Sequence, residues 1–177
     1  MPLLLAAAAE EPISLADAKA WLRIDHESED ALIGALIVAA RAHVESVTRR
    51  LLVAQTWRVE ATAHGGGIRL PFAPLRAIAA IRATGVDGVT ETLTPDRWAV
   101  ADADDDPIVS LRPARTPIRF EIDAEYGYGA AADAPAPLRQ AIRLLVAFWH
   151  ERRGDEAGVP PGAAAALIGP FVCRRIA

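Results

Sequence analysis

Cysteine is almost missing from this chain: Cys173 is the only one in 177 residues. A single thiol excludes an internal disulfide framework and a cysteine-rich zinc site, and it fits a setting in which thiols stay reduced. Lysine is as scarce, with Lys19 alone among the 19 basic residues. Basic charge is not in excess either. The formal net charge is -4, so the chain lacks the cationic balance by which a free-standing nucleic-acid binder displaces counterions from phosphate.

Catalytic spacing is also missing. His26, His43, His64 and His150 show neither H-x-x-x-H nor H-E-x-x-H, which leaves metal ligation without a motif. There is no G-x-S-x-G elbow, and Ser14, Ser28, Ser46 and Ser110 suit caps, helix surface and strand ends better than nucleophilic chemistry. No internal repeat or heptad stands out. The apolar run at 3–9 has no basic residue before it and meets Glu10, Glu11 and Pro12 at once. It fits neither a signal peptide nor a membrane span, and is expected to be a flexible arm or a docking strand, with no membrane partner.

What is present is apolar residue, 52% of the chain. That is enough for a sizeable core in one ordinary domain, or in one carrying an inserted second lobe. The longest helical pattern runs over 28–52. Leu32, Leu36, Ala40, Val44, Val47 and Leu51 step by three or four, Ile33 and Ile37 widen the stripe, and the opposite face is expected to be polar. Ser28 suits the N-cap, Glu29 and Asp30 the first turn, and Arg49 and Arg50 the last. Such a rod spans about 36 Å. Before it, Ser14 and Asp17 form a capping arrangement for a short helix to Leu22 with Leu15, Ala18, Trp21 and Leu22 on its apolar face.

After Leu52 the period changes to two. Trp57, Val59 and Ala61 alternate with Arg58, Glu60 and Thr62, as in a half-buried strand. Gly65, Gly66 and Gly67 mark a turn, 68–72 and 78–83 are further strands, and 85–88 suits a hairpin. Shorter strands are expected at 91–94, 98–101 and 108–111. The clearest is 118–126, where Ile118, Phe120, Ile122, Ala124 and Tyr126 alternate with Arg119, Glu121, Asp123 and Glu125. These strands predict a compact antiparallel sheet or small sandwich. A hinge follows, and Pro137 opens a helix whose face is Leu138, Ala141, Ile142, Leu145, Val146 and Trp149. It ends near Arg153 and Gly154 and is expected to pack on the long helix. A loop at 155–162 and a short helix at 163–168 complete it. The fold class expected is α+β: an N-terminal arm (1–12), an antiparallel helical bundle body (13–53 and 131–168), an inserted small antiparallel β lobe (54–130) and an extended C-terminal tail (169–177).

Three local signals have plainer explanations. Gly127, Gly129 and Ala132 match a relaxed dinucleotide pattern after a strand, but Pro135 and Pro137 forbid the long helix whose N-terminus would hold a pyrophosphate. Asp102, Asp104, Asp105 and Asp106 resemble a calcium loop, yet the positions that need glycine and glutamate are Pro107 and Pro113. Cys173 lies beside Arg174 and Arg175, with no histidine near it in sequence to make it a nucleophile. The end of the chain is read in two ways. It is a frayed terminus, or a docking peptide in which Pro170, Phe171, Val172 and Ile176 supply apolar anchors and Arg174 and Arg175 the charge.

The order of motifs resembles a known family. Ile13, Ser14 and Leu15, then Ala18 and Lys19, then Trp21 to Asp25, are followed by Ala39, Ala40, Arg41, Glu45, Thr48 and Arg50. Further on stand Gln55, Thr56 and Trp57, Leu70 and Pro71, Pro74 and Leu75, and Tyr126, Gly127, Tyr128 and Gly129. Pro137, Leu138, Ala141, Leu145, Glu151, Arg153, Leu167, Ile168, Pro170 and Phe171 close the series. Together these resemble the head-tail connector (adaptor) proteins of long-tailed bacteriophages and gene transfer agents. The resemblance implies a structural protein without catalytic residues, cofactor or metal. It implies a ring, usually of twelve copies, under the portal, with double-stranded DNA passing through the lumen without specific recognition. Its C-terminal segment would engage the portal and its other face the stopper or tail-completion protein, in the neck of the particle after assembly and in the host cytoplasm before. The alternatives are another neck component, such as a stopper, and remotely a small metal-dependent enzyme built on the aspartates and histidines.

Overall fold

The computed structural model describes residues 1–62, 67–112, 119–152 and 161–173. His64, Gly65, Gly66, Ile118, Arg153, Gly154, Arg174, Arg175 and Ile176, all used in the expectations above, lie outside them. The chain is mixed helix and antiparallel sheet and divides into two compact units. One holds Met1–Ala8 and Ala54–Tyr128; the other holds Ala9–Val53 and the described part of Gly129–Arg174.

The first unit is built from strands β1 (Leu3–Ala6), β2 (Gln55–Thr62), β3 (Gly67–Arg69), β4 (Leu75–Thr84), β5 (Thr90–Thr92), β6 (Trp98–Ala101), β7 (Ile108–Leu111) and β8 (Arg119–Tyr126). They form a five-stranded sheet in the order β1-β2-β8-β4-β5 and a three-stranded sheet β3-β7-β6. Every pairing is antiparallel. The alternation read in β8 is real. Phe120, Ile122, Ala124 and Tyr126 are fully buried while the residues between them are not. The two-residue period of a strand sends successive side chains to opposite faces, and burying one face fixes the register.

The other face of β8 carries ion pairs to its neighbours. Arg58 of β2 donates from Nε and Nη2 to Asp123 at 2.6 and 2.9 Å, and Arg82 of β4 donates to the same carboxylate. Arg119 pairs with Glu60 at 2.6 Å and Arg76 with Glu125 at 2.8 Å. The Arg58 hydrogen bond, with Arg82 beside it, holds the Asp123 carboxyl below its ordinary range. At the buried end of β8, Phe72 meets Tyr126 edge-on and Trp57 at a tilt. Burial raises the pKa of the Tyr126 hydroxyl, which has no hydrogen-bond partner among the described residues.

The second unit contains helices α1 (Leu15–Leu22), α2 (Asp30–Thr48), α3 (Ala136–Glu151) and α4 (Gly162–Ile168). The α1 cap is as expected: Ser14 Oγ accepts the Asp17 N–H at 3.0 Å, and Asp17 returns a bond to the Ser14 N–H. Its apolar face is not. Ala18 is buried, but Trp21 is exposed. On α3, Leu138, Ala141, Ile142, Leu145 and Val146 are buried as their spacing required, and α3 packs against both α2 and α4.

The long helix departs from its sequence pattern in three ways. It covers 19 residues, about 28 Å. Arg49 turns left-handed at φ 58, and Thr48 Oγ1 bonds back to the Val44 carbonyl and accepts the Arg50 N–H, so Arg49 and Arg50 lie beyond the last turn. At its start Glu29 is the N-cap without a side-chain bond, while Ser28 Oγ is 2.8 Å from His26 Nδ1. The buried stripe is Ile33, Ile37, Ala40, Val44 and Thr48, whereas Leu32 and Val47 are exposed. One residue of offset rotates a helix by about 100°, and an apolar helix offers both stripes.

The face expected to be polar is instead uncharged. Ala31, Ala35, Val38, Ala39 and Ala42 are all exposed on it. The charged side chains flank it and are paired within the unit: Asp30 with Lys19 at 2.6 Å, and Arg41 with Glu11 at 2.7 Å and Glu45 at 2.8 Å. By length and composition alone α2 would pass for a membrane span; its stripe packed on α3 is what a core helix shows.

Candidate docking site at the C-terminal segment

The residues singled out at the chain end begin where α4 stops. Gly169–Phe171 is a 3-10 turn, and the Val172 N–H closes on the Gly169 carbonyl at 3.3 Å. Through Cys173 the segment is therefore folded, not the extended tail expected. Gly169 stays right-handed helical, so the backbone carries on from α4, and Pro170 fixes a φ that suits another turn while removing a donor.

Two bonds tie this turn to the end of α2. The Arg50 Nε–H donates to the Phe171 carbonyl at 2.9 Å, and the Cys173 N–H donates to the Thr48 carbonyl at 3.3 Å. Arg50 is buried, so this charge-assisted bond forms where water competes little. The left-handed turn at Arg49 is what sends the Arg50 side chain inward. Sequence reasoning placed Arg50 on the helix dipole and missed its role as the tether; the one signal for it is that Arg50 directly precedes the apolar run Leu51, Leu52 and Val53.

Beside the turn lies an open apolar groove of about 290 Å³, lined by His43 and Val47 of α2, Leu145 of α3, Ala164, Ala165 and Ile168 of α4, and Gly169 and Val172. Val172 and Phe171 are half-buried and Pro170 is exposed. The structure thus brings Pro170, Phe171 and Val172 together at one end of the helical unit; Arg174, Arg175 and Ile176 lie outside the described residues. Next to the tether, Glu45 accepts the Leu52 N–H at 2.9 Å, and burial pushes its carboxyl above the ordinary range against that bond and the Arg41 charge.

The chemical signals have structural duties. Gly127 and Gly129 take φ of 110° and 123°, a conformation open to glycine, and lead into a 3-10 turn and then α3. Asp106 pairs with Arg69 at 2.9 Å, His150 with Glu29 at 2.7 Å, and His43 packs edge-on to Trp149. Among the described residues, no group of three or more His, Cys, Asp or Glu side chains is placed to hold a metal ion. An apolar groove beside a tethered turn can bind another protein surface.

Comparison with known proteins gives the arrangement a context. Residues 12–87 match the family model described as Phage gp6-like head-tail connector protein. The chain is similar to the head-tail connector family. Solved structures extend the likeness over the whole connector-like chain. A chain in the neck of an empty gene transfer agent particle, computed with C6 symmetry, is 28% identical, with 100% of this chain and 97% of that one covered and a TM-score of 0.85. A chain in the virion of a native gene transfer agent particle has the same identity and coverage at 0.86. One in the neck of a native particle computed with C12 symmetry matches at 0.78. No curated protein matches the connector-like chain.

Proposed function

We propose that this chain is a structural head-tail adaptor. It forms a ring between the portal and the stopper or tail proteins of a phage or gene-transfer-agent particle, and extends the conduit through which double-stranded DNA passes. The observation that carries this is the match over the full chain, at 28% identity, to chains in gene transfer agent necks computed with C6 and C12 symmetry. The chemistry of the chain supports it. A conduit should not grip its cargo, and a net charge of -4 limits counterion-release affinity for DNA. The chain acts by shape and adhesion rather than catalysis, with no cofactor.

The turn at Gly169–Phe171 presents Pro170 and Phe171 to the portal. Pro170, Phe171, Val172, Arg174, Arg175 and Ile176 form the docking segment. Each contact is small, and twelve engaged together bind strongly because the ring makes every later contact intramolecular. The uncharged outer face of α2 suits a subunit that is covered by protein in its assembly.

The test is a truncation and a point variant assayed for binding to purified portal. Removing 169–177 also removes the Phe171 carbonyl that the buried Arg50 Nε–H bonds, so the cleaner truncation removes 174–177, and Phe171→Ala keeps the carbonyl while deleting the ring. Both are expected to stay folded by circular dichroism and to lose portal binding. Undiminished binding by both refutes the docking role; wild-type binding to the stopper with none to the portal assigns the chain a lower place in the neck.

A further inference from the structure

The larger sheet carries exposed apolar residues at both of its edges. Its strand order makes β1 and β5 the outermost strands. On β1, Leu3, Leu4 and Leu5 are 57%, 43% and 44% exposed. At the opposite edge, the β4–β5 hairpin carries Val86 and Val89 at 95% and 64%. Four strand spacings separate the two edges, roughly 19 Å.

The two edges differ: β5 is a three-residue strand with Glu91 at its centre, and its exposed apolar residues sit in the adjoining hairpin turn, whereas the β1 edge is uncharged. An open edge strand invites pairing with another chain, and soluble proteins blunt it with charge, proline or bulges. Leu3–Ala6 has no charged residue, and its only irregularity is the register shift between Leu4 and Ala6. The hairpin tip is held rigid. The Gly85 N–H donates to the Val89 carbonyl at 2.9 Å, Gly88 takes φ 78, and Asp87 accepts the Val89 N–H at 3.1 Å. Both valines are therefore displayed on a fixed turn.

A ring of identical subunits needs two different patches on opposite flanks of each copy, one for the predecessor and one for the successor; a two-fold pair needs only one patch that fits itself. The sheet has the first arrangement. We propose that the β1 edge of one copy docks on the β4–β5 hairpin edge of the next, so that successive sheets are linked around the ring. This rests on the neck-ring reading above and names its subunit contact. Three leucines against two valines fall well short of the roughly 800 Å² per partner of a standard interface. Free copies therefore associate weakly in pairs, and closure, in which every copy makes two contacts, stabilises the assembly.

The experiment places Leu4→Cys and Val89→Cys together and singly in a Cys173→Ser background, produces each in the cell that makes the particles, and treats purified particles with a bismaleimide crosslinker. The double variant is expected to give a ladder of covalent multimers rising to the full ring, and each single variant none. A chain present in the neck that gives no ladder overturns the edge contact and leaves the neck reading standing. Dimers from a single-cysteine variant show a self-fitting patch and overturn it too. Wild-type chain absent from purified particles overturns the neck reading and this proposal with it. As a second measure, Leu4→Glu and Val89→Glu are each expected to keep the wild-type melting curve and to be lost from particles; normal incorporation of either overturns the contact.

Discussion

Val44→Ala and Val47→Ala delete the same two methyl groups from the same helix, three residues apart, and test which side of α2 is packed. Val44 is 0% exposed and Val47 42%. At about 0.8 kcal/mol per buried carbon, truncating Val44 loses about 1.6 kcal/mol, and the cavity left in a closed site raises this to about 2–2.5 kcal/mol. Replacing a β-branched residue by alanine returns roughly 0.5 kcal/mol of helix propensity at both positions. The net cost is then about 1.5–2 kcal/mol for Val44→Ala. For Val47, with much of its surface already wet and no cavity to leave, it is about 0.5 kcal/mol or less. Urea melts of the isolated chain, followed by helical circular dichroism, read the difference as a lower midpoint for Val44→Ala at unchanged slope. Equal losses, or a larger loss at Val47, would show that α2 packs by its other stripe and would refute the core described here.

Two further outcomes follow from the local geometry. Ser14→Ala removes one half of the α1 capping box and is expected to cost about 1 kcal/mol, read as a fall in the thermal midpoint of about 2–4 °C. Asp123, whose carboxyl lies below the ordinary value of 3.8 through Arg58 and Arg82, contributes stability that is present above that value and lost as pH falls through its lower folded value. Asp123→Asn is therefore expected to be less stable than wild type at neutral pH, with the gap closing below about pH 4; a gap that widens on acidification in urea melts would contradict the ion-pair assignment. Glu60 and Glu121, which share the arginines on this face, are left unchanged in the variant.

The way the structure divides its charge bears on assembly. On the open face of the larger sheet, arginines and carboxylates pair across strands, which satisfies local charge. The outer face of α2, both sheet edges and the groove beside Gly169–Phe171 carry apolar surface instead. Contiguous exposed apolar surface on a soluble chain marks places where other protein binds. A subunit held on several sides needs several such places, and each can be weak.

The sequence alone determined what depends on neighbours along the chain. The β8 alternation, the Ser14–Asp17 cap, the hairpin at 85–88 and the buried face of α3 were legible because period, capping chemistry and glycine conformations act within a few residues. The order of motifs likewise pointed to the connector family. Only the tertiary structure decided which of two apolar stripes on α2 is buried, because both fit a helical period and only packing against α3 distinguishes them. It seated Leu3–Ala6 on the edge of β2, a pairing such as Leu3 with Arg58 between residues far apart in the chain. It also turned Arg50 inward to hold the Phe171 carbonyl across 121 residues, a contact that loop-closure entropy opposes and that no local pattern encodes.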